Sequence, residues 1–321
     1  MDWQRLCTQL NLGELLNAPI PLTGGLMHKM FRVDTDKGCY AVKWLNPHVM
    51  ARPEAPGNFA AAEELERKLE QAGLAILPAL TIHEQKMHLV DEHYLYVFPY
   101  FEGVTLVGRP ITPHHCEQVG TLLAGIHGVE RRQVAVNRSP ITIDWDALLA
   151  TADTPVRPLL ADRLPLLKEM QQRANEALPH LPAEIAICHN DLDPKNVLWQ
   201  GDTCRAIDLE CLGYDSPGLE LLETALCWAG YESGRVDTAR LTAFLQGYRA
   251  VGGILPTDWE PLYDANAGRL EWLAYNLRRA AGAEGDAART LGITEVEKTL
   301  TCLTGYHRMR NELLTILKNV K

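Results

Sequence analysis

The sequence contains no C-x-x-C pair and no cluster of cysteine and histidine with the spacing of a zinc site. Its eight cysteines are instead scattered along the chain. Scattered cysteines without a pairing pattern are typical of reduced thiols in a reducing compartment. The cysteine distribution therefore predicts a cytoplasmic protein without a structural zinc site.

Long apolar segments are also missing, because no run of residues is long enough to span a bilayer. The N-terminal stretch MDWQRLCTQLNLGELL lacks a basic start followed by an apolar core, so it predicts an amphipathic helix rather than a signal peptide. The sequence also contains no repeats and no low-complexity segments. These absences favour a globular protein that has no membrane partner and no evident obligate protein partner.

The chain has an excess of negative charge, with 41 acidic and 31 basic residues and a formal net charge of -10. Such a chain repels nucleic-acid phosphates and anionic membrane surfaces. We therefore expect no nucleic-acid partner. The same excess is compatible with a cationic small-molecule substrate, although solubility alone also explains it.

The first hundred residues have mainly strand-like patterns. Two β-type runs flank a turn that contains Lys37 and Gly38, and they predict a hairpin. Strong helix formers follow over residues 58–72, and Gly73 ends that pattern. Three short apolar runs, ILPALTI, KMHLV and YLYVFPY, then predict strands. We place a lobe boundary after residue 101.

The remainder of the chain is mainly helical, and it contains one short β island at residues 185–210. The order of elements lacks the βαβ alternation of a doubly wound sheet. We therefore predict an α+β protein with a small β-rich N-lobe that has one main helix (residues 1–101) and a larger, mostly helical C-lobe (residues 102–321). A nucleotide between two such lobes is plausible.

The most informative segment is residues 188–199, CHNDLDPKNVLW, which contains the pattern H-x-D-x-x-x-x-N. It is followed by the turn QGDT and by the strand-like run CRAIDLE. A hairpin about Gly201 and Asp202 would pair Val197 near Ala206. Asn196 would then lie beside Ile207, and hence close to Asp208.

This geometry predicts a phosphoryl-transfer site. The amide oxygen of Asn196 and the carboxylate of Asp208 are hard ligands that suit Mg²⁺ bound between protein and phosphates. Asp191, on the preceding loop, could accept or orient the proton of an attacking hydroxyl. The alternative is a solvated acidic loop in which Asn196 only forms a turn.

Two N-terminal features are candidates for binding phosphate. Lys43 lies inside the apolar run YAVKWL, where a lysine needs a carboxylate partner unless it points to solvent from an edge strand. Glu63 on the following helix is the partner that we expect. Gly24 and Gly25 precede the hairpin, and they would let the backbone approach a phosphate closely, although most such pairs are simple turns.

Taken together, HNDLDPKNVLW, AIDLE and AVKW resemble the catalytic loop, the metal-binding segment and the strand lysine of the aminoglycoside phosphotransferase and choline kinase superfamily, which has a protein-kinase-like fold. The resemblance runs from about residue 23 to residue 228. It implies that Asp191 is the catalytic base, that Asn196 and Asp208 bind Mg²⁺, and that Lys43 contacts the phosphates of ATP.

The resemblance also implies a hinge for adenine at residues 98–101. Pro99 can offer only its carbonyl, so the donor would be the Phe101 amide. His127, in the run LLAGIH, resembles a structural residue of the larger lobe. Two departures concern the catalytic loop: Lys195 stands where the family often has a small residue, and Glu220 takes the final acidic place after the metal segment.

The acceptor stays open at this stage. An aminoglycoside is the first choice, from the resemblance and the acidic charge. A metabolic kinase acting on choline, homoserine or a sugar is the second, and a non-catalytic kinase-like binding protein is a third. Acceptor contacts are expected in the segment RLEWLAYNLRRA, where Glu271 and Tyr275 could line a cleft while Trp272 packs.

Overall fold

A computed structural model describes residues 2–22, 28–134, 138–153, 155–283 and 285–320. The strands are β1 (Ile20–Leu22), β2 (Lys29–Thr35), β3 (Gly38–Trp44), β4 (His88–Val90), β5 (His93–Pro99), β6 (Arg131–Gln133), β7 (Glu184–Cys188), β8 (Val197–Gln200), β9 (Thr203–Ala206) and β10 (Gly213–Asp215). The helices are α1 (Trp3–Gln9), α2 (Pro47–Met50), α3 (Ala55–Gln71), α4 (Pro113–Val129), α5 (Trp145–Thr151), α6 (Val156–Ala177), α7 (Pro217–Trp228), α8 (Thr238–Ala250), α9 (Glu260–Ala265), α10 (Gly268–Ala280) and α11 (Asp286–Asn319).

The chain divides into two compact units, Met1–Pro110 with His189–Gly213 and Ile111–Cys188 with Tyr214–Lys321. This division differs from the predicted one, 1–101 and 102–321, mainly in the place of residues 189–213. Those residues join the first unit because they are hydrogen-bonded to it. Leu77 donates its N–H to the Ala206 carbonyl, and Val104 exchanges backbone hydrogen bonds with Trp199.

The first unit contains a five-stranded antiparallel sheet with the order β1-β2-β3-β5-β4. The predicted hairpin between β2 and β3 is confirmed, because Thr35 pairs with Gly38 across the turn. Val33, Val42 and Val97 bury one face of this sheet against α1, which contributes Leu6. The sheet holds Lys43 opposite Tyr96 on the neighbouring strand β5.

Helix α3 confirms the helix predicted at residues 58–72, and Gly73 follows it in a left-handed conformation with φ of 70°. Its buried side chains recur at the spacing of a helix: Phe59, Ala62, Leu65, Glu66 and Leu69. Because of this helical spacing, Glu66 is the most deeply buried of the acidic residues that follow Ala62 in α3. The helix therefore carries a carboxylate on its inner face.

The strand predicted at residues 76–82 is wrong. Only isolated bridges form there, from Ile76 to Ala206 and from Ile82 to Gln85. Pro78 has no N–H to donate to a ladder, and Leu80 donates to the Val97 carbonyl without continuing the pairing. The apolar side chains of this stretch fill the core of the unit without strand geometry.

The second hairpin of the first unit, β8 and β9, has the predicted register. Val197 pairs with Ala206, and Gln200 pairs with Thr203 across the turn at Gly201. The Ile207 N–H donates to the Asn196 carbonyl over 2.9 Å, which extends the pairing by one step. Asn196 and the residue before Asp208 are therefore neighbours, as the sequence predicts.

The second unit is mainly helical, with a small sheet of order β10-β7-β6. Helices α4 and α8 approach closely where glycines face the opposite backbone: Gly120 meets Phe244, and Gly247 meets Glu117. Leu270, Leu273 and Leu277 of α10 take the core side, as predicted. Within the described ranges, no helix combines the length and the apolar composition needed to cross a bilayer.

Candidate active site

Asp191 occupies a constrained loop at the start of the H-x-D-x-x-x-x-N segment. The preceding residue, Asn190, has a left-handed backbone with φ of 64°, and its side chain donates to the Cys211 carbonyl over 2.9 Å. His189 is buried, and its Nε2 lies 3.1 Å from the Ile207 carbonyl oxygen. These contacts attach the loop to the residues on both sides of Asp208.

The carboxylate of Asp191 is held at both oxygens. Lys195 Nζ donates to Oδ1 over 2.7 Å, and Asn196 Nδ2 donates to Oδ2 over 2.8 Å. Burial raises the pKa of Asp191, and the hydrogen bond from Lys195 offsets only part of that effect. The arrangement fixes the orientation of a carboxylate that burial makes a better proton acceptor.

Lys195 bridges two carboxylates of the loop, because its Nζ also donates to Asp193 Oδ2 over 2.6 Å. Asp193 caps a single 3-10 turn, Pro194–Asn196, by accepting the Lys195 N–H over 3.0 Å. Burial lowers the pKa of Lys195, but the charges of Asp193 and Asp191 outweigh it and raise the pKa. Lys195 therefore faces the catalytic candidate and not only solvent.

The two predicted metal ligands lie at the open end of the hairpin, where Asn196 directly precedes β8 and Asp208 follows β9 by two residues. Asn196 is buried, and its amide nitrogen donates to both the carbonyl and the Oδ2 of Asp191. Within the described ranges, no hydrogen bond reaches the amide oxygen of Asn196. Asp208 has a left-handed backbone, with φ of 63° and ψ of 56°, directly after the hairpin. An amide oxygen and a carboxylate fit Mg²⁺, which prefers oxygen ligands.

Lys43 contacts the metal segment directly. Its Nζ lies 2.5 Å from Asp208 Oδ1 and 2.5 Å from Glu210 Oε2. Burial lowers the pKa of this lysine, but the two carboxylates outweigh that effect and raise it. The structure therefore brings Lys43 and Asp208 together in one cluster, while their roles toward phosphate and metal stay predictions.

Glu210 and His28 complete this cluster, and the sequence analysis missed both. His28 Nδ1 accepts the Asn46 N–H over 3.0 Å, so Nε2 carries the proton that it donates to Glu210 Oε1 over 3.1 Å. Burial raises the pKa of Glu210, but His28 and Lys43 outweigh it and lower the pKa to about 2. The run AIDLE contains Glu210 and could have indicated it, whereas no sequence pattern indicated His28.

Glu63 does not pair with Lys43, which corrects the expected contact. Its Oε1 accepts the hydroxyl hydrogen of Tyr96 over 2.9 Å, and its Oε2 binds Arg67 at 3.2 Å. The physical reason is that Lys43 is already satisfied by Asp208 and Glu210, which reach it from the metal segment. Burial and the neighbouring Glu63 raise the pKa of Tyr96, so its hydroxyl stays a donor.

Two other carboxylates of helix α3 bind a buried lysine from the chain that follows the helix. Lys86 is fully buried, and its Nζ donates to Glu66 Oε1 over 2.6 Å and to Glu70 Oε2 over 3.1 Å. Glu66 also accepts the Ala79 N–H over 2.7 Å, while burial raises its pKa. This group attaches α3 to the chain that follows it.

The other residues predicted to bind the nucleotide are a pair of glycines and the adenine hinge at the end of β5. Gly24 and Gly25 lie outside the described residues. Pro99 is the last residue of β5 and is exposed, and the Tyr100 N–H continues the ladder by donating to the Cys39 carbonyl. The Phe101 carbonyl accepts the Gly103 N–H over 2.9 Å. Their contact with adenine stays a prediction.

His127 belongs to a buried polar network of the second unit, which agrees with its structural interpretation. Its Nδ1 lies 2.7 Å from the Tyr248 hydroxyl, and its Nε2 lies 2.7 Å from Glu220 Oε2. The longer carboxylate of Glu220 therefore reaches a partner. Cys188 Sγ is 3.8 Å from His127 Nε2, so the three side chains form a compact group of possible metal-ligand types.

The expected acceptor segment lies on α10 in the second unit. Trp272 is 39% exposed and packs beside Tyr275, with ring centroids 5.6 Å apart. Glu271 is exposed, whereas Asn276 is fully buried and donates to the Trp272 carbonyl. Asn276 is therefore a structural residue of the helix.

The fold is kinase-like, and the chain is a phosphotransferase that acts on hydroxyl groups of small molecules. The sequence model of the phosphotransferase enzyme family matches residues 20–262, and the chain belongs to this family.

Solved structures of the same fold include a spectinomycin phosphotransferase in complex with ADP and spectinomycin. It has a TM-score of 0.70 and 12% identity, over 95% of this chain and 98% of that chain. An amicoumacin kinase in complex with AMP-PNP and Ca²⁺ has a TM-score of 0.63 and 13% identity, over 96% and 97% of the two chains. A microcompartment-associated aminopropanol kinase has a TM-score of 0.61 and 13% identity, over 98% and 100%. At these identities the likeness shows the fold.

Proposed function

We propose that the protein is an ATP- and Mg²⁺-dependent kinase that transfers the γ-phosphate to a hydroxyl group of a small molecule. The observation that carries this proposal is the arrangement of Asp191, Asn196 and Asp208. Asn196 holds Asp191 through its amide nitrogen, and the hairpin brings it next to the residue before Asp208. A proton acceptor and two hard ligands therefore lie within one short segment.

Asp191 would receive the proton of the acceptor hydroxyl as the new oxygen–phosphorus bond forms and the bond between the γ-phosphorus and the bridging oxygen breaks, with ADP as the leaving group. Asn196 and Asp208 would hold Mg²⁺, which neutralises the phosphate oxygens. Lys43 would add positive charge to the phosphates of ATP. Lys195 fixes the direction in which Asp191 faces.

The nucleotide would bind through backbone groups of the chain after β5. Pro99 offers only its carbonyl, so the Phe101 N–H is the donor that we assign to adenine. Gly24 and Gly25 would let the backbone approach the phosphates. The ADP in the spectinomycin phosphotransferase structure and the AMP-PNP in the amicoumacin kinase structure support this part of the proposal.

The acceptor that we propose first is an aminoglycoside-like molecule. The structural relatives include a spectinomycin phosphotransferase and an amicoumacin kinase, and the net charge of -10 favours a cationic acceptor. An amino alcohol is the second candidate, because an aminopropanol kinase shares the fold over its whole length. None of the eight cysteines, all of which lie in the described part of the chain, forms a disulfide, which fits a reducing cytoplasmic location.

The test is to incubate the pure protein with Mg-ATP and a panel of aminoglycosides, spectinomycin, choline, aminopropanol, homoserine and sugars. Mass spectrometry would detect an acceptor heavier by one phosphate. Phosphorylation of an aminoglycoside or of spectinomycin supports the first choice, and phosphorylation of an amino alcohol supports the second. ATP binding without any phosphorylated acceptor would contradict both acceptor assignments.

A further inference from the structure

Lys43 is a buried cation with two carboxylate partners, and we expect only one of them to stay bound to the lysine during catalysis. The lysine is only 8% exposed, so its ammonium group needs a permanent counter-charge. One partner, Asp208, is the metal ligand proposed above. A divalent cation on Asp208 would compete with Lys43 for the same carboxylate and would repel the lysine. Lys43 then depends on the other partner, Glu210.

Contacts at both carboxylate oxygens hold Glu210 in place beside Lys43. Its Oε2 lies 2.5 Å from Lys43 Nζ, and its Oε1 is fixed by the donated hydrogen of His28 at 3.1 Å. The His28 side chain is only 6% exposed, and the Asn46 N–H sets its tautomer from the other side. Backbone, imidazole, carboxylate and ammonium therefore form a chain of directed hydrogen bonds that ends on Lys43.

Helix α3 does not supply this counter-charge. Both oxygens of Glu63 are engaged, by Tyr96 and by Arg67. The carboxylates of Glu66 and Glu70 bind the buried Lys86. These acidic side chains of α3 therefore bind other residues and not Lys43.

We propose that Glu210, braced by His28, is the positioning residue that holds Lys43 ready for the nucleotide phosphates, in the place of a carboxylate on α3. The inference rests on the proposed function, because it assumes that Lys43 meets the phosphates. Glu210 acts through Lys43 and need not touch the nucleotide.

The experiment is a double-mutant cycle with Glu210→Gln, Lys43→Met and the combined variant. It has two readouts: kcat/KM for ATP with whichever acceptor of the panel is phosphorylated by the wild type, and calorimetric affinity for ATP in EDTA, where metal binding plays no part. We expect Glu210→Gln alone to lower kcat/KM roughly tenfold to a hundredfold, which is the worth of a hydrogen bond to a charged group. In the Lys43→Met background the same change should have almost no further effect in either readout.

A second cycle avoids any folding defect of the lysine variant. It combines His28→Phe, which keeps a ring but removes the donor, with Glu210→Gln. The His28 change should lower kcat/KM in the wild type and have little further effect once Glu210 is replaced. Asp202→Asn, an exposed charge loss at the hairpin turn, is the matched control and should leave activity unchanged.

The outcomes separate the alternatives. Additive effects of Glu210→Gln and Lys43→Met, together with a raised Mg²⁺ requirement, would show that Glu210 is a metal ligand and would overturn the inference alone. Coupling of Lys43→Met to Glu63→Gln but not to Glu210→Gln would assign the role to α3 and would also overturn it. Failure of the wild-type protein to bind ATP would overturn the proposed function, and the inference with it.

Discussion

Lys195 Nζ lies 2.7 Å from Oδ1 of Asp191, within the segment that the sequence predicts to be the catalytic loop. The lysine is 39% exposed, and it also binds Asp193. Surface ion pairs of this exposure contribute little to stability. Their value here is geometric, because the lysine and Asn196 together leave the Asp191 carboxylate one orientation.

Replacing Lys195 with alanine should therefore reduce catalysis more than stability. We expect kcat to fall roughly tenfold to a hundredfold, because Asp191 loses a charged hydrogen-bond donor. Lys195→Arg should recover part of the activity, since it keeps donors for both carboxylates. Steady-state kinetics measure both variants. Lys168→Ala, which removes a surface pair with Asp146, is the control; equal activities of the two alanine variants would contradict the positioning role.

Replacing Asp191 with asparagine should abolish transfer while ATP still binds. Asparagine has the same size but cannot accept a proton, and a positioned general base contributes on the order of a hundredfold or more to the rate. The checks are kcat with the phosphorylated acceptor and calorimetric affinity for Mg-ATP. Activity close to that of the wild type would exclude Asp191 as the base, and loss of ATP affinity would indicate a role in nucleotide binding instead.

Replacing Asp208 with alanine should weaken nucleotide binding in a Mg²⁺-dependent way. The change removes a carboxylate ligand, and we expect the affinity for Mg-ADP to fall about tenfold or more, as losses around metal sites typically do. Affinity for ADP in EDTA should change much less, because Lys43 keeps Glu210 as a partner. Isothermal titration with and without Mg²⁺ separates the two effects. An equal loss in both conditions would contradict a metal role.

Replacing Lys86 with methionine should destabilise the fold. The change leaves Glu66 buried without its cation, and breaking one side of a buried ion pair costs about 3–5 kcal/mol of unfolding free energy. Adding Glu66→Gln should restore part of this loss, because the amide still accepts the Ala79 N–H and carries no charge. Urea denaturation followed by circular dichroism measures all variants. The exposed Lys168→Met change is the control.

The sequence by itself determined the local part of the candidate active site. The alternation of β8 and β9 and the turn at Gly201 predict that Val197 pairs with Ala206, and the structure confirms this register. Register follows from side-chain period and loop length, which are properties of adjacent residues. The short apolar run at residues 76–82 was misread because such runs look alike whether or not they pair as strands.

Only the tertiary structure decided which carboxylate serves Lys43. Residues 28, 43 and 210 lie on separate segments, so their contacts depend on how the sheet, α3 and the hairpin pack. Glu63, Glu66 and Glu70 recur at the spacing of one helical turn, and the sequence gives each of them a plausible inward position. Packing directs Glu66 and Glu70 to Lys86 and Glu63 to Tyr96, and Lys43 is left to Asp208 and Glu210.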